Sequence, residues 1–186
     1  MRIVGGRFKG RPLAAPEGHG TRPTSDRARE AVFNVLSHAS WSPGLEGRRV
    51  LDLFAGSGAL GLEALSRGAA FALFVETDAA ARGAIRVNIE ALDLFGLTRL
   101  HRRDATDLGP KPAGVGERFD LVFLDPPYGK GLGELALQRL RDGDWIEPGA
   151  IAVFECGASE APQTSGFDIL DTRDYGAARV LFLRAG

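Results

Sequence analysis

From residue 49 onward the chain alternates short, unbroken apolar runs with segments of helical periodicity, a pattern few folds satisfy. The runs at 50–54, 70–75, 121–124 and 151–154 lack the polar alternation of a half-solvated strand. Each must therefore be covered on both faces, as strands of a parallel sheet are. A weaker run at 99–103 supplies a further strand, and 62–65, 79–92 and 132–140 read as the intervening helices. Parallel strands joined through helices cross over right-handedly, so the predicted architecture is α/β with helices on both faces of the sheet. Two last runs, 167–170 and 179–183, are joined by only a short loop and suit an antiparallel pair at the sheet edge.

The first 23 residues read differently. Gly5, Gly6, Gly10, Gly18 and Gly20, with Pro12, Pro16 and Pro23, punctuate them too often for a helix and predict a small hairpin or ribbon. Thr24 or Ser25 can cap a helix over 26–37, whose apolar stripe is Ala28, Ala31, Val32, Val35 and Leu36. The expected organisation is a basic ribbon over 1–24 and one main domain over 25–186. Seven cations against two acids give residues 1–29 a net charge of +5, and the remaining chain carries -6. With a whole-chain charge of -1, a uniformly basic nucleic-acid coat is excluded. A localised basic arm suits a phosphate-rich surface instead, with Arg7, Lys9, Arg11, Arg22, Arg27 and Arg29 as candidate RNA contacts. Arg22, Arg27 and Arg29 equally fit helix-end ion pairs with Asp26 and Glu30, and both readings stand.

At 186 residues and 44% hydrophobic, the chain is expected to form one domain that buries roughly 70% of its unfolded surface; a monomer is expected, though length and composition leave the oligomeric state open. Its single cysteine, Cys156, excludes an internal disulfide and a Cys-rich zinc site, which favours a reducing compartment. His19, His38 and His101 lack metal-ligand spacing, so no metal is expected. No apolar run approaches the roughly 18 residues a membrane span needs. The reading is a cytoplasmic protein.

Two motifs carry chemistry. Gly56, Gly58 and Gly61 form G-x-G-x-x-G directly after a predicted strand and at the head of a helix, where backbone N–H groups can face a ligand. The next strand ends in Glu76, twenty residues after Gly56, the separation expected for a carboxylate accepting both hydroxyls of a ribose. The candidate cofactor seat comprises Asp52, Phe54, Ala55, Gly56, Ser57, Gly58, Glu76 and Thr77, with Asp125 at its edge. Asp52 is an acid where a pyrophosphate would be repelled and an ammonium welcome, which favours S-adenosylmethionine over a dinucleotide.

The second motif is Asp125-Pro126-Pro127-Tyr128, at the end of a strand. Two prolines fix φ and remove two N–H donors, holding the Asp125 and Pro126 carbonyls as acceptors in a stiff turn. Acceptors beside an aromatic suit a flat ring bearing an amino group, whose lone pair becomes available to an electrophilic methyl when its N–H bonds are held. No Ser-His-Asp or Cys-His set is evident.

Together, Gly56 to Gly61 and Asp125 to Tyr128 resemble the class I S-adenosylmethionine-dependent amino-methyltransferases. The opening is more specific: 2–11, RIVGGRFKGR, and 22–34, RPTSDRAREAVFN, resemble the bacterial 16S rRNA guanine-N2 methyltransferases, a similarity that runs on to Asp174-Tyr175-Gly176. It departs mildly at Ala59 and Leu60. The resemblance implies a Rossmann-like seven-stranded, mostly parallel sheet with an added amino-terminal element. It further implies that Glu76 holds the cofactor ribose, that Asp104 and Ala105 meet the adenine, and that Asp125 to Tyr128 hold a guanine of 16S rRNA, naked or within a small ribosomal subunit or its assembly intermediate. From the residues alone, Asp104 reads equally as a loop acid beside Arg102 and Arg103. The rival readings are an adenine-N6 methyltransferase, an NAD-dependent oxidoreductase, which leaves Asp52 and the double-proline turn unexplained, and a non-catalytic RNA-binding module.

Overall fold

The computed structural model describes residues 1–17 and 25–186. Its elements are α1 (Asp26–His38), β1 (Arg49–Leu53), α2 (Ala59–Ser66), β2 (Phe71–Val75), α3 (Ala79–Ala91), β3 (Thr98–His101), β4 (Phe119–Leu124), α4 (Leu132–Asp142), β5 (Ile146–Gly157), β6 (Phe167–Tyr175) and β7 (Ala178–Ala185). They build one seven-stranded sheet in the order β3-β2-β1-β4-β5-β7-β6. The first five strands in that order are parallel, and β7 is antiparallel to both of its neighbours. The Rossmann-like expectation holds.

The unbroken apolar runs do what their pattern requires. Along β1, Val50 joins the hydrophobic cluster on one face of the sheet while Leu51 and Leu53 join the cluster on the other. The terminal pair is antiparallel as expected, but the later strand inserts between β5 and the earlier one. Burial explains the order: Val180, Leu181, Phe182 and Leu183 of β7 are buried, whereas most of β6 is partly or fully exposed and tolerates the edge. Both strands outrun their apolar centres because antiparallel pairing continues through polar residues, as between Asp174 and Arg179. The weak third strand is shorter than its run, ending at His101.

Ser25 caps α1 by accepting from the Ala28 N–H at 3.1 Å. Among the described residues, the amino-terminal ribbon is closed by the bridge between Arg2 and Pro12, flanked by the Gly10 N–H donating to the Ile3 carbonyl at 2.8 Å. It is fastened to the sheet's helices. The buried carboxylate of Glu63 on α2 accepts from the Val4 and Gly5 N–H groups, both at 2.9 Å, and pairs with Arg29 at 3.4 Å and Arg67 at 2.9 Å. On α3, buried Asn88 exchanges both amide hydrogen bonds with the backbone of Ala14 and donates to the Ser57 carbonyl at 3.0 Å, tying the ribbon to the glycine loop. Ile3 and Leu13 sit in the core beneath.

Among the described residues, no helix is long and apolar enough to cross a membrane.

Candidate functional site

Parallel strands all end on one edge of the sheet, and ligands of open α/β sheets bind there. In this chain the loops after β1, β2, β3 and β4 open onto a single cavity of about 960 Å³. That volume is at the upper end for a small-molecule site and leaves room for more than one ring system.

The loop after β1 turns sharply, with Phe54 at φ 55°, Gly56 at 59° and Gly58 at 80°. Gly58 caps the start of α2 in the left-handed region, and a side chain there would be strained and press on Phe74 and Ile85. At Gly61 a Cβ would stand 2.5 Å from the Phe74 ring, so this third glycine is required by helix-to-strand packing. Glu76, at the end of β2, accepts from the Gly56 N–H at 2.7 Å and the Asp78 N–H at 2.9 Å. Each of its oxygens keeps acceptor capacity for a hydroxyl. Asp104 is held by Thr106, whose N–H and hydroxyl donate to Oδ1 at 2.8 and 2.7 Å.

Of the residues singled out from sequence, Phe54, Ala55, Gly56, Ser57, Glu76, Thr77, Asp104, Ala105 and Asp125 to Tyr128 all line this cavity. Asp52 and Gly58 are not brought to its wall. Asp52 is instead 1% exposed, beneath the loop, and its Oδ2 accepts from the Gly61 N–H at 3.0 Å at the head of α2. It does not present its carboxylate to a ligand. Burial pushes its pKa from 3.8 up to about 8, the nearby Glu76 charge adds to the rise, and the Gly61 bond opposes it. An acid whose pKa is raised on folding holds its proton in the native state after the unfolded chain has lost its own. Its stabilising contribution is therefore complete below about pH 4 and is lost as pH rises toward 8. Asp52→Asn keeps the acceptor and removes the titration. Urea melts across that window are expected to show the decline in stability flattened in the variant; an unchanged slope would place the titration elsewhere.

The basic residues separate. Arg7, Lys9, Arg11 and Arg27 are exposed, and Arg22 lies outside the described residues. Arg29 requires correction as an RNA contact: it is fully buried, ion-paired with Asp26 at 2.9 Å and with Glu63, and donates to the Arg2 carbonyl. With 0% exposure the side chain offers no surface to an RNA phosphate, although it borders the inner wall of the cavity, and the ion-pair alternative accounts for its charge. Arg7 donates its backbone N–H to the carbonyl of Ser66, the last residue of α2. The ribbon tip therefore lies at the far end of that helix from the glycine loop, about 12 Å away at 1.5 Å per residue.

Met1, Ala15, Pro16, Thr106 and Leu132 also line the cavity, and no motif in the sequence marks them as a group. Thr106 carried a signal, an Asp-x-Thr turn; Met1, Ala15 and Pro16 carried none, because only tertiary packing brings the ribbon there. Among the described residues no cluster of His, Cys, Asp or Glu could hold a metal.

A glycine loop with a strand-end acid, sharing a cavity with an Asp-Pro-Pro-Tyr turn on a β3-β2-β1-β4-β5-β7-β6 sheet, defines a Rossmann-like methyltransferase fold. The chain belongs to the family described as Conserved hypothetical protein 95, whose pattern matches residues 1–184. It is 37% identical over 183 residues to a candidate rRNA methyltransferase of Bacillus subtilis, YlbH, covering 97% of this chain and 96% of that one. It is 39% identical over 155 residues to ribosomal RNA small subunit methyltransferase D of Escherichia coli, covering 83% and 74%. Among solved structures, a candidate methyltransferase of Escherichia coli, yhhF, superposes with a TM-score of 0.82 at 33% identity, covering 100% of this chain and 97% of that one.

Proposed function

We propose that this protein transfers the methyl group of S-adenosylmethionine to the exocyclic N2 amine of a guanine in 16S rRNA. The observation that carries the reading is the meeting of the glycine loop, Glu76 and the Asp125–Tyr128 turn on one cavity. The family relationship supports rRNA methylation, and the guanine amine follows from the resemblance of the opening segments. When bound, the cofactor supplies a methyl group already activated by its sulfonium, so the chain needs no nucleophile of its own.

The residues divide the remaining work. Glu76 holds the ribose hydroxyls, and Asp104 with Ala105 meets the adenine. The Asp125 carboxylate and the Pro126 carbonyl accept from the target amine, favouring a pyramidal nitrogen with an available lone pair. The prolines present no N–H that would compete for those acceptors. Tyr128 stacks on the base. Rate enhancement then comes from positioning and charge placement. The substrate is 16S rRNA, naked or within a small-subunit assembly intermediate, and reaching the amine requires the base to be unpaired or extruded. Residues 1–24 serve as the RNA-facing extension of a catalytic unit over 25–186, in a cytoplasmic monomer.

The test is incubation with methyl-labelled S-adenosylmethionine and, separately, small-subunit rRNA, large-subunit rRNA and duplex DNA. Label is expected in the first alone; label in DNA, or in none, would overturn the assignment. If Arg7, Lys9 and Arg11 are all changed to Ala, RNA binding is expected to weaken and its log-log salt slope to shrink by about 2 to 3. An unaltered slope would show that the ribbon tip does not touch phosphate.

A further inference from the structure

The prolines stiffen the turn only as far as Pro127. Beyond them the tyrosine keeps its side-chain torsions, and Gly129 and Gly131 follow at φ 75° and 68°. The ring that the proposed function assigns to the target base must be oriented by something else, and two carboxylates at the end of β5 stand there. The Tyr128 hydroxyl donates to Glu155 Oε1 at 2.6 Å, across 27 residues of sequence. Glu160 accepts from the Gly129 N–H at 2.9 Å and, through its other oxygen, from the Gly157 N–H, so one side chain clamps the turn to the last residue of β5. The ring lies beside Gly157, where a Cβ would stand 3.5 Å from Tyr128 Cδ2 and 2.8 Å from Glu160 Oε2.

We infer that Glu155 and Glu160 are positioning residues for the methyl-acceptor base, Glu155 by fixing the Tyr128 ring and Glu160 by fixing the turn that carries it. This rests on the reading of the cavity as a methyltransferase site. A second effect acts in the same direction. A phenol donating to a carboxylate is a more electron-rich ring, and a ring face attracts the positive charge that the methylated amine carries before its proton leaves. Neither carboxylate lines the main cavity, so both act through Tyr128 and its turn.

The experiment compares Glu155→Gln, Glu155→Leu, Tyr128→Phe and the Leu/Phe double variant. Glu155→Leu is expected to lower kcat for methyl transfer at least 10-fold, with the Kd for S-adenosylhomocysteine changed less than twofold by calorimetry. Glu155→Gln, which keeps an acceptor, should stay within about threefold of the parent. Tyr128→Phe should lose about as much as Glu155→Leu, and the double variant no more than either alone. Additive losses, or an unchanged kcat in Glu155→Leu, would overturn the inference. A readout independent of activity comes from ring-labelled tyrosine, since the chain has two tyrosines. By NMR, Glu155→Leu should shift the Cζ resonance of Tyr128 and leave that of Tyr175 in place; an unmoved Tyr128 resonance would also overturn it. Label found in a base other than guanine would retire the acceptor assignment yet leave both readouts intact.

Discussion

Asp125→Ala is expected to reduce methyl transfer about 10²- to 10³-fold in single-turnover kcat, the range seen when one preorganised group facing the reacting atoms is removed. The Kd for S-adenosylhomocysteine should change less than about threefold, because the proposed ribose acceptor Glu76 and the glycine loop follow β2 and β1 while Asp125 follows β4. The physical reason is directional. A carboxylate offers only lone pairs, and the two prolines behind it contribute carbonyls without N–H groups, so the turn presents acceptors to an amine. Alanine at 125 leaves the backbone carbonyls and removes the charged acceptor. Asp125→Asn should fall in between, since its amide oxygen still accepts while its NH₂ faces another donor. If Asp125→Ala lowers cofactor affinity and rate in equal proportion, the residue belongs to the cofactor seat and the acceptor role is wrong.

Glu63→Ala is expected to cost about 3–5 kcal/mol of stability, the usual penalty for breaking a buried ion pair by removing one partner. The Glu63 side chain has no exposed surface and accepts from two ribbon N–H groups while pairing with buried Arg29 and with Arg67. Without it a guanidinium stays buried beside two orphaned amides, and the ribbon loses its principal fastening to α2. For a chain of this length the melting temperature should fall on the order of 10 °C. Glu63→Gln, which keeps one acceptor oxygen but not the charge, should cost less. Calorimetric unfolding of the three proteins checks the order; a variant with parental stability would mean that the ribbon is held by its apolar contacts through Ile3 and Leu13 instead.

Much of this site was legible because its signals are local. A strand that must be buried on both faces shows as an unbroken apolar run, a glycine loop shows as three glycines at fixed spacing, and Asp-Pro-Pro-Tyr announces a stiff turn wherever it stands. The parallel fold then delivers those segments to one edge without further information, which is why Glu76 and Asp125 face the same cavity. What was not legible depends on partners distant in sequence. Asp52 reads as a ligand-facing acid until the sheet and α2 place it under Gly61. Arg29 reads as a surface cation until Glu63, 34 residues later, proves to be its buried partner. The insertion of β7 between β5 and β6 turns on comparative burial of two strands, which their short apolar runs do not rank. Glu155 lies in β5 just past its apolar run and Glu160 three residues beyond the strand, and nothing in their immediate sequence points to the tyrosine they hold.

The defining property of the proposed activity is the atom that receives the methyl group. Protein, S-adenosylmethionine carrying an isotopically labelled methyl, and small-subunit rRNA are incubated together, and the RNA is digested to nucleosides for mass spectrometry. The labelled product is predicted to be N2-methylguanosine, at close to one per rRNA molecule at completion. Label confined to N6-methyladenosine, or RNA left unlabelled by protein that binds S-adenosylhomocysteine, would contradict it.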